Sequence, residues 1–130
     1  MAILEFVGNQ RNLIKLSRQG IEKSTFQEIL SNTGFTLAEI CEYLDISPRS
    51  VQHKKSIDRF SKDTSAKLYA IAKLYARGKE VFGDESKLKR WMDTENYAIG
   101  GVKPKSYLDL IEGINLVMDE LVAIEHGFSA

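Results

Sequence analysis

The stretch Thr36–Lys55, TLAEICEYLDISPRSVQHKK, decides the fold because it holds the start signals of two consecutive short helices. Thr36 and Glu39 form a capping-box pair at the first helix start. Apolar residues then recur at helical spacing, at Leu37, Ile40, Cys41 and Leu44. Ser47 is the expected N-cap of the second helix, and Pro48 suits its first position. The sequence therefore predicts two short helices joined by a tight turn.

The second of these helices has the composition of a DNA-recognition helix. Ile46 in the turn and Val51 are the expected inward anchors, and polar and basic side chains cover the remaining face. Such a helix can enter the major groove, where Ser, Gln and Arg reach base edges and lysines reach phosphates. The predicted DNA-binding residues are Ser47, Arg49, Ser50, Gln52, His53, Lys54 and Lys55.

Charge is distributed unevenly around this pair of helices. Residues 47–62 contain five Lys or Arg and one acid, whereas residues 24–46 contain acids and no Lys or Arg. A basic run alone is typical of a solvated surface, but its position within a capped helix-turn-helix favours DNA binding. Over the whole chain the net charge is zero, divided into about +4 for residues 1–82 and −4 for residues 83–130. This asymmetry suggests a different partner for each half.

The rest of the chain predicts further helices and no convincing strand after an ambiguous AILEFV start. Ser24 or Thr25 is the expected cap of a helix that Gly34 ends, and Ser61 or Asp63 the cap of a longer one. A short helix with Leu88, Trp91 and Met92 inward is predicted to end at a glycine pair. Ser106 is the expected cap of a terminal helix with an apolar arc broad enough for burial on more than one side. The expected fold class is all-α.

Several site classes find no support in the sequence. Gly100 and Gly101 are adjacent and follow a polar helix, so a phosphate loop is not expected. His53 and His126 have no other residues at the spacing of metal ligands, so a metal site is not expected. Cys41 is expected to be buried as a small hydrophobic residue. No catalytic residue, metal ligand or cofactor is predicted, so we expect a non-enzymatic protein. With no signal segment or membrane-length apolar run, we expect it in the cytoplasm, with no membrane partner.

The final stretch, VFGDESKLKRWMDTENYAIGGVKPKSYLDLIEGINLVMDELVAIEHGFSA, resembles the toxin-binding domain of the Xre/MbcA/ParS antitoxins. It shares a "vFGd" start, a helix with a central tryptophan, "alGG-x-x-P" and an ending "L-x-x-I-x-x-G". The helix-turn-helix resembles the Xre-like domain of the same antitoxins. The resemblance covers about residues 24–130.

This resemblance implies an antitoxin of a type II toxin–antitoxin pair whose partner is a RES-domain toxin that depletes NAD. In that family the C-terminal domain covers the toxin's active-site entrance, and the dimeric antitoxin with its toxin represses their shared operon. Gly100, Gly101 and Pro104 match the interhelix motif. The implied toxin-binding residues are Lys103, Lys105, Tyr107, Glu125, His126, Gly127, Phe128, Ser129 and Ala130.

The expected organisation has three parts. Residues 1–23 form an N-terminal extension with dimerisation as its candidate role, residues 24–80 the helix-turn-helix domain, and residues 81–130 the small helical toxin-binding domain. The expected partners are a RES-domain toxin, operator DNA and a second copy of the chain. The alternative is a stand-alone dimeric transcription regulator whose C-terminal half is a dimerisation module.

Overall fold

The computed structural model describes residues 10–127, and these are predominantly helical. The predicted all-α class is confirmed: the described residues hold seven α-helices, two 3-10 turns and only isolated β-bridges. The helices are α1 Gln10–Gln19, α2 Lys23–Thr33, α3 Leu37–Leu44, α4 Pro48–Gln52, α5 Lys62–Phe82, α6 Glu85–Met92 and α7 Ile111–Glu125. The 3-10 turns are Tyr97–Ile99 and Pro104–Tyr107. By its internal contacts the chain divides into two compact units, Met1–Lys73 and Leu74–Ala130.

The core of the N-terminal unit contains Ile40, Cys41 and Leu44 of the predicted stripe together with residues of other elements. The Phe26 and Phe60 rings stack with their centroids 4.9 Å apart. Cys41 is buried as expected, and burial raises the pKa of its thiol. Other buried residues in this unit include Ile21, Ile29, Val51, Leu68, Ile71 and Ala72. Ile46, expected inside, is only half-buried.

The helix starts around the helix-turn-helix follow the predicted capping chemistry. The Glu39 N–H donates to Thr36 Oγ1 at 3.1 Å, and the Thr36 N–H donates to Glu39 Oε1 at 3.0 Å, so the capping box is confirmed. Ser47 and Pro48 occupy the predicted cap and first-turn positions of α4. The Thr64 N–H donates to Ser61 Oγ at 3.1 Å, which confirms Ser61 at the start of α5. These caps are all local in sequence.

The start predicted for α2 is wrong. The helix begins at Lys23 with Glu22 as its N-cap, and no side chain caps it. The Lys23 N–H instead donates to the Asp58 carbonyl at 2.9 Å, and the Ser24 N–H donates to the Ser56 carbonyl at 3.1 Å. Carbonyls of the segment after α4 therefore satisfy N–H groups that a serine or threonine cap would otherwise serve.

The C-terminal unit packs around Leu88, Met92, Ile99, Leu108, Ile114, Val117 and Leu121, all buried. Asp84 caps α6, because the Ser86 N–H donates to its Oδ1 at 2.8 Å, and this bond lowers the pKa of the Asp84 carboxyl. Leu88 and Met92 point inward as predicted. Trp91 is half-buried, with its ring centroid 5.6 Å from that of Phe82. Trp91 is thus part of the packing of this unit.

Two predicted helix boundaries in this unit are wrong, the end of α6 and the start of α7. α6 ends at Met92, and the glycine pair instead ends the 3-10 turn Tyr97–Ile99. Ser106 does not cap α7, which begins at Ile111 without a side-chain cap. The Ser106 hydroxyl donates to the Lys103 carbonyl at 2.6 Å, inside a 3-10 turn that Pro104 starts. Ser106, predicted as the cap of α7, therefore makes its hydrogen bond within the 3-10 turn that follows the proline.

One face of α7 is buried, whereas apolar side chains just before the helix and on other faces of its first part are exposed. Ile114, Val117 and Leu121 are buried. Leu110, Ile111 and Leu116, by contrast, are 58%, 40% and 43% exposed. Val122 and Ile124 are half-buried, so burial of α7 on more than one side stays a prediction, while Leu110, Ile111 and Leu116 remain accessible.

Replacing Gly113 by alanine is expected to destabilise the protein, although Gly→Ala inside a helix usually stabilises by about 1 kcal/mol. A Cβ at Gly113 would lie 2.0 Å from the Tyr107 carbonyl oxygen and 2.9 Å from its carbon. Relieving this overlap should cost about 1–3 kcal/mol, measured by urea unfolding. The exposed Asn115 of the same helix supplies the control: Asn115→Ala should change the free energy of unfolding by less than about 0.5 kcal/mol. A stabilised Gly113→Ala protein would contradict the close approach.

Candidate functional site

The predicted recognition residues lie on and just after α4, which has five residues. Val51 is 3% exposed and anchors the helix. Arg49, Gln52 and His53 are exposed, so this face of the N-terminal unit presents a guanidinium, an amide and an imidazole to solvent. All three side chains are of types that can read base edges.

Ser47 and Ser50 are engaged in shaping the start of α4. The Ser50 N–H donates to Ser47 Oγ at 3.0 Å, and the Ser50 hydroxyl donates to the Ser47 carbonyl at 2.8 Å. These two bonds satisfy donors of the first helical turn. Both serines remain exposed, but the structure gives them a local capping role.

The two lysines predicted to contact phosphates have different surroundings. Lys54 is half-buried: its Nζ donates to the Arg59 carbonyl at 3.1 Å and lies 4.9 Å from the centroid of the Phe60 ring. The side chain of Lys55 is exposed, while its N–H donates to Asp58 Oδ2 at 2.8 Å. Lys55 is therefore better placed than Lys54 to meet a phosphate.

Lys23 and Arg59 support this segment, and sequence reasoning missed both roles. The Lys23 Nζ donates to the Lys54 carbonyl at 2.8 Å and to the Gln52 carbonyl at 3.5 Å. Arg59 Nη1 donates to the Gly20 carbonyl at 2.6 Å, and Nη2 lies 3.3 Å from Glu22 Oε1. The basic run did include Arg59, but no local pattern links Lys23 to residues so far along the chain.

A second candidate site in the C-terminal unit centres on the glycine turn. Gly100 and Gly101 have φ values of 102° and 75°, a conformation that favours glycine. Their N–H groups donate to the Tyr97 and Asn96 carbonyls at 3.2 and 2.9 Å. The N–H groups that a phosphate cradle would offer are thus used inside the turn.

The predicted toxin-binding residues near this turn are partly structural. The Tyr107 hydroxyl donates to the Ile99 carbonyl at 2.9 Å, and Lys105 Nζ lies 2.6 Å from Asp93 Oδ1. Lys103 is exposed. Tyr97, which the sequence did not single out, is 97% exposed. The turn therefore presents one aromatic ring fully to solvent.

At the end of α7 the described candidates are Glu125, His126 and Gly127. The Glu125 carboxylate pairs with Arg77. The His126 N–H closes the helix on the Val122 carbonyl at 3.1 Å, and Gly127 has a φ of 79°. Both residues are exposed. The remaining predicted residues, Phe128, Ser129 and Ala130, lie outside the described residues.

Residues 10–127 show neither a metal-binding cluster nor a membrane-spanning helix. Within this range no group of three or more His, Cys, Asp or Glu is placed to hold a metal ion. None of the helices described there combines the length and apolar character needed to cross a membrane.

Comparison with protein families assigns both regions of the chain. Residues 13–73 match the antitoxin Xre-like helix-turn-helix domain, and residues 77–127 match the antitoxin Xre/MbcA/ParS C-terminal toxin-binding domain. The chain belongs to the Xre/MbcA/ParS antitoxin family. The resemblance inferred from the residues is thereby confirmed, and the antitoxin joins a DNA-binding type of domain to a toxin-binding one. No curated protein matches it significantly.

In this antitoxin, Tyr107→Phe should loosen the glycine turn. The change removes the hydroxyl that donates to the Ile99 carbonyl and should cost about 1 kcal/mol, measured by urea unfolding. Amide hydrogen exchange should also quicken at Ile99 and Gly100. Tyr97→Phe is the matched control, because this ring is fully exposed and its change should stay within about 0.5 kcal/mol. Equal stability of the two variants would show that the hydrogen bond does not hold the turn.

Proposed function

We propose that this antitoxin neutralises a RES-domain toxin that depletes NAD, by covering the entrance to its active site, and that it represses its own operon. The observation that carries the proposal is the match of residues 77–127 to the family's toxin-binding domain. The RES identity comes from the family resemblance of the sequence. On this proposal the antitoxin has no catalytic role and acts in the cytoplasm.

Exposed apolar groups in the C-terminal unit support a protein partner. Tyr97, Leu110, Ile111 and Leu116 are all accessible. Tyrosine is a typical anchor of protein interfaces, and the exposed aliphatic side chains add apolar area that a partner can bury. The stand-alone regulator is the second candidate, because the same groups could pair two copies of the chain. The two functions differ in whether a toxin is bound.

The geometry of α4 supports repression through a dimer. Five helical residues offer few base contacts, so one copy of α4 would supply little specificity. Two copies on a palindromic site double the contacts, with half-sites separated by about one helical turn of DNA. The exposed Arg49 and Gln52 are the proposed base readers, and Lys55 the proposed phosphate contact.

Lys55→Gln should weaken binding to every DNA sequence, because it removes an exposed charge that neutralises a phosphate. The slope of log K against log salt should become shallower by about one per recognition segment, measured by fluorescence anisotropy. Lys54→Gln is the comparison: it removes a hydrogen bond to the Arg59 carbonyl and should cost about 1 kcal/mol of stability. Its salt slope should change less. An unchanged slope in Lys55→Gln would remove Lys55 from the phosphate contacts.

Deleting residues 128–130 tests whether Phe128, Ser129 and Ala130 are needed to cover the toxin's active-site entrance, while leaving the described end of α7 intact. The truncated protein should fold and bind DNA as the full chain does, yet fail to prevent NAD loss and growth arrest when a RES toxin is co-expressed. Asn115→Ala in the full chain is a control that should still protect. Protection by the truncated protein would place neutralisation on the helix surface. Absence of toxin binding by the full chain would favour the stand-alone regulator.

A further inference from the structure

We propose that Lys23 is a positioning residue for DNA readout, whose ammonium group caps the C-terminal end of the recognition helix α4. This inference rests on the proposed DNA binding and adds a residue outside the recognition segment to it. Lys23 is the first residue of α2, and its Nζ donates to the Lys54 carbonyl at 2.8 Å and to the Gln52 carbonyl at 3.5 Å.

The end of α4 needs donors from elsewhere in the unit. The N–H groups of His53 and Lys54 donate backwards, to the Arg49 and Val51 carbonyls at 3.0 and 3.1 Å. Gln52 is the last residue of α4, and Lys54 follows its C-cap His53. The C-terminal end of a helix leaves carbonyls without helical partners and carries partial negative charge. A lysine ammonium satisfies both the hydrogen bonding and the charge of this end.

Lys23 also holds the return segment that follows α4. Its N–H donates to the Asp58 carbonyl at 2.9 Å, and the Asp58 N–H donates in turn to the Lys55 carbonyl at 2.9 Å. The side chain and the backbone of one residue therefore fix both ends of residues 52–58. The directions in which Gln52 and Lys55 present their side chains depend on this double attachment.

The geometry distinguishes this role from a phosphate contact. Lys23 is half-buried, and its ammonium group donates hydrogen bonds to two protein carbonyls. An ammonium held in this way adds little to counterion release on DNA binding, whereas the exposed Lys55 adds its full share. Loss of Lys23 should therefore lower sequence discrimination and leave the salt dependence of binding unchanged.

The experiment compares wild type, Lys23→Met, Lys23→Arg, Gln52→Ala and Lys55→Gln. Methionine keeps an unbranched stem and removes the donors, and arginine restores donors and charge. The probes are a duplex selected from a random pool by the wild-type protein and a shuffled duplex of the same composition. Anisotropy over a range of salt concentrations gives, for each variant, the ratio of the two affinities and the salt slope.

Lys23→Met should lower the ratio of the two affinities about tenfold, the same loss that we expect for Gln52→Ala, and should leave the salt slope at its wild-type value. Lys23→Arg should recover most of the ratio. A ratio unchanged in Lys23→Met, or a slope shallower by the amount seen in Lys55→Gln, would overturn the positioning role. Lack of any preference by the wild-type protein would instead count against the proposed DNA binding itself.

A measurement on the wild-type protein keeps the proposal testable if Lys23→Met does not fold. In NMR spectra, the ammonium protons of a hydrogen-bonded Lys23 should exchange with water more slowly than those of the exposed Lys55. Equal exchange rates for the two ammonium groups would show that Lys23 does not cap α4.

Discussion

A helix of five residues cannot hold its own conformation in water, because nucleation costs more than so few hydrogen bonds return. The proposed recognition helix α4 is such a helix, and the surface proposed to face DNA depends on what holds α4 from outside. Ser47 caps its start, Val51 anchors it in the core, and the Lys23 ammonium meets its end. The exposed Arg49 and Gln52 therefore lie on a surface whose geometry comes from the rest of the unit.

In the C-terminal unit the short element that needs support from neighbouring residues is a turn instead of a helix. Gly100 and Gly101 adopt positive φ angles. Asn96 accepts from the N–H groups of Ala98, Ile99 and Gly101, and its own N–H donates to the Val102 carbonyl. Tyr107 closes it from the next turn along. Because hydrogen bonds already hold the backbone of this turn, little backbone freedom would be lost if a partner bound the exposed Tyr97, which favours affinity. The exposed first part of α7 adds aliphatic surface in the same unit.

The exposed side chains of the two units differ in chemical character. Around α4 the exposed side chains are mainly basic and polar, with the 72% exposed Ile57 as an exception. The C-terminal unit exposes Tyr97, Leu110, Ile111 and Leu116 beside its charged residues. A polyanion is recognised through charge and hydrogen bonds, and a protein surface through buried apolar anchors. The zero net charge of the chain thus conceals two surfaces suited to different partners.

The sequence by itself determined the all-α class, the capping box at Thr36, the Ser47 cap with Pro48, the inward stripes and the family. These features depend on residues three or four positions apart or on a motif, so they are visible in one dimension. The tertiary structure alone decided where α2 starts, that Lys54 is half-buried, that Leu110 is exposed, and that the Tyr107 carbonyl lies too close to Gly113 for a Cβ. It also decided the bonds from Lys23 to Lys54, Arg59 to Gly20 and Ile21 to Ser65, which join residues 31, 39 and 44 positions apart. Such contacts leave no local pattern, because any lysine, arginine or serine at the right place in space could make them.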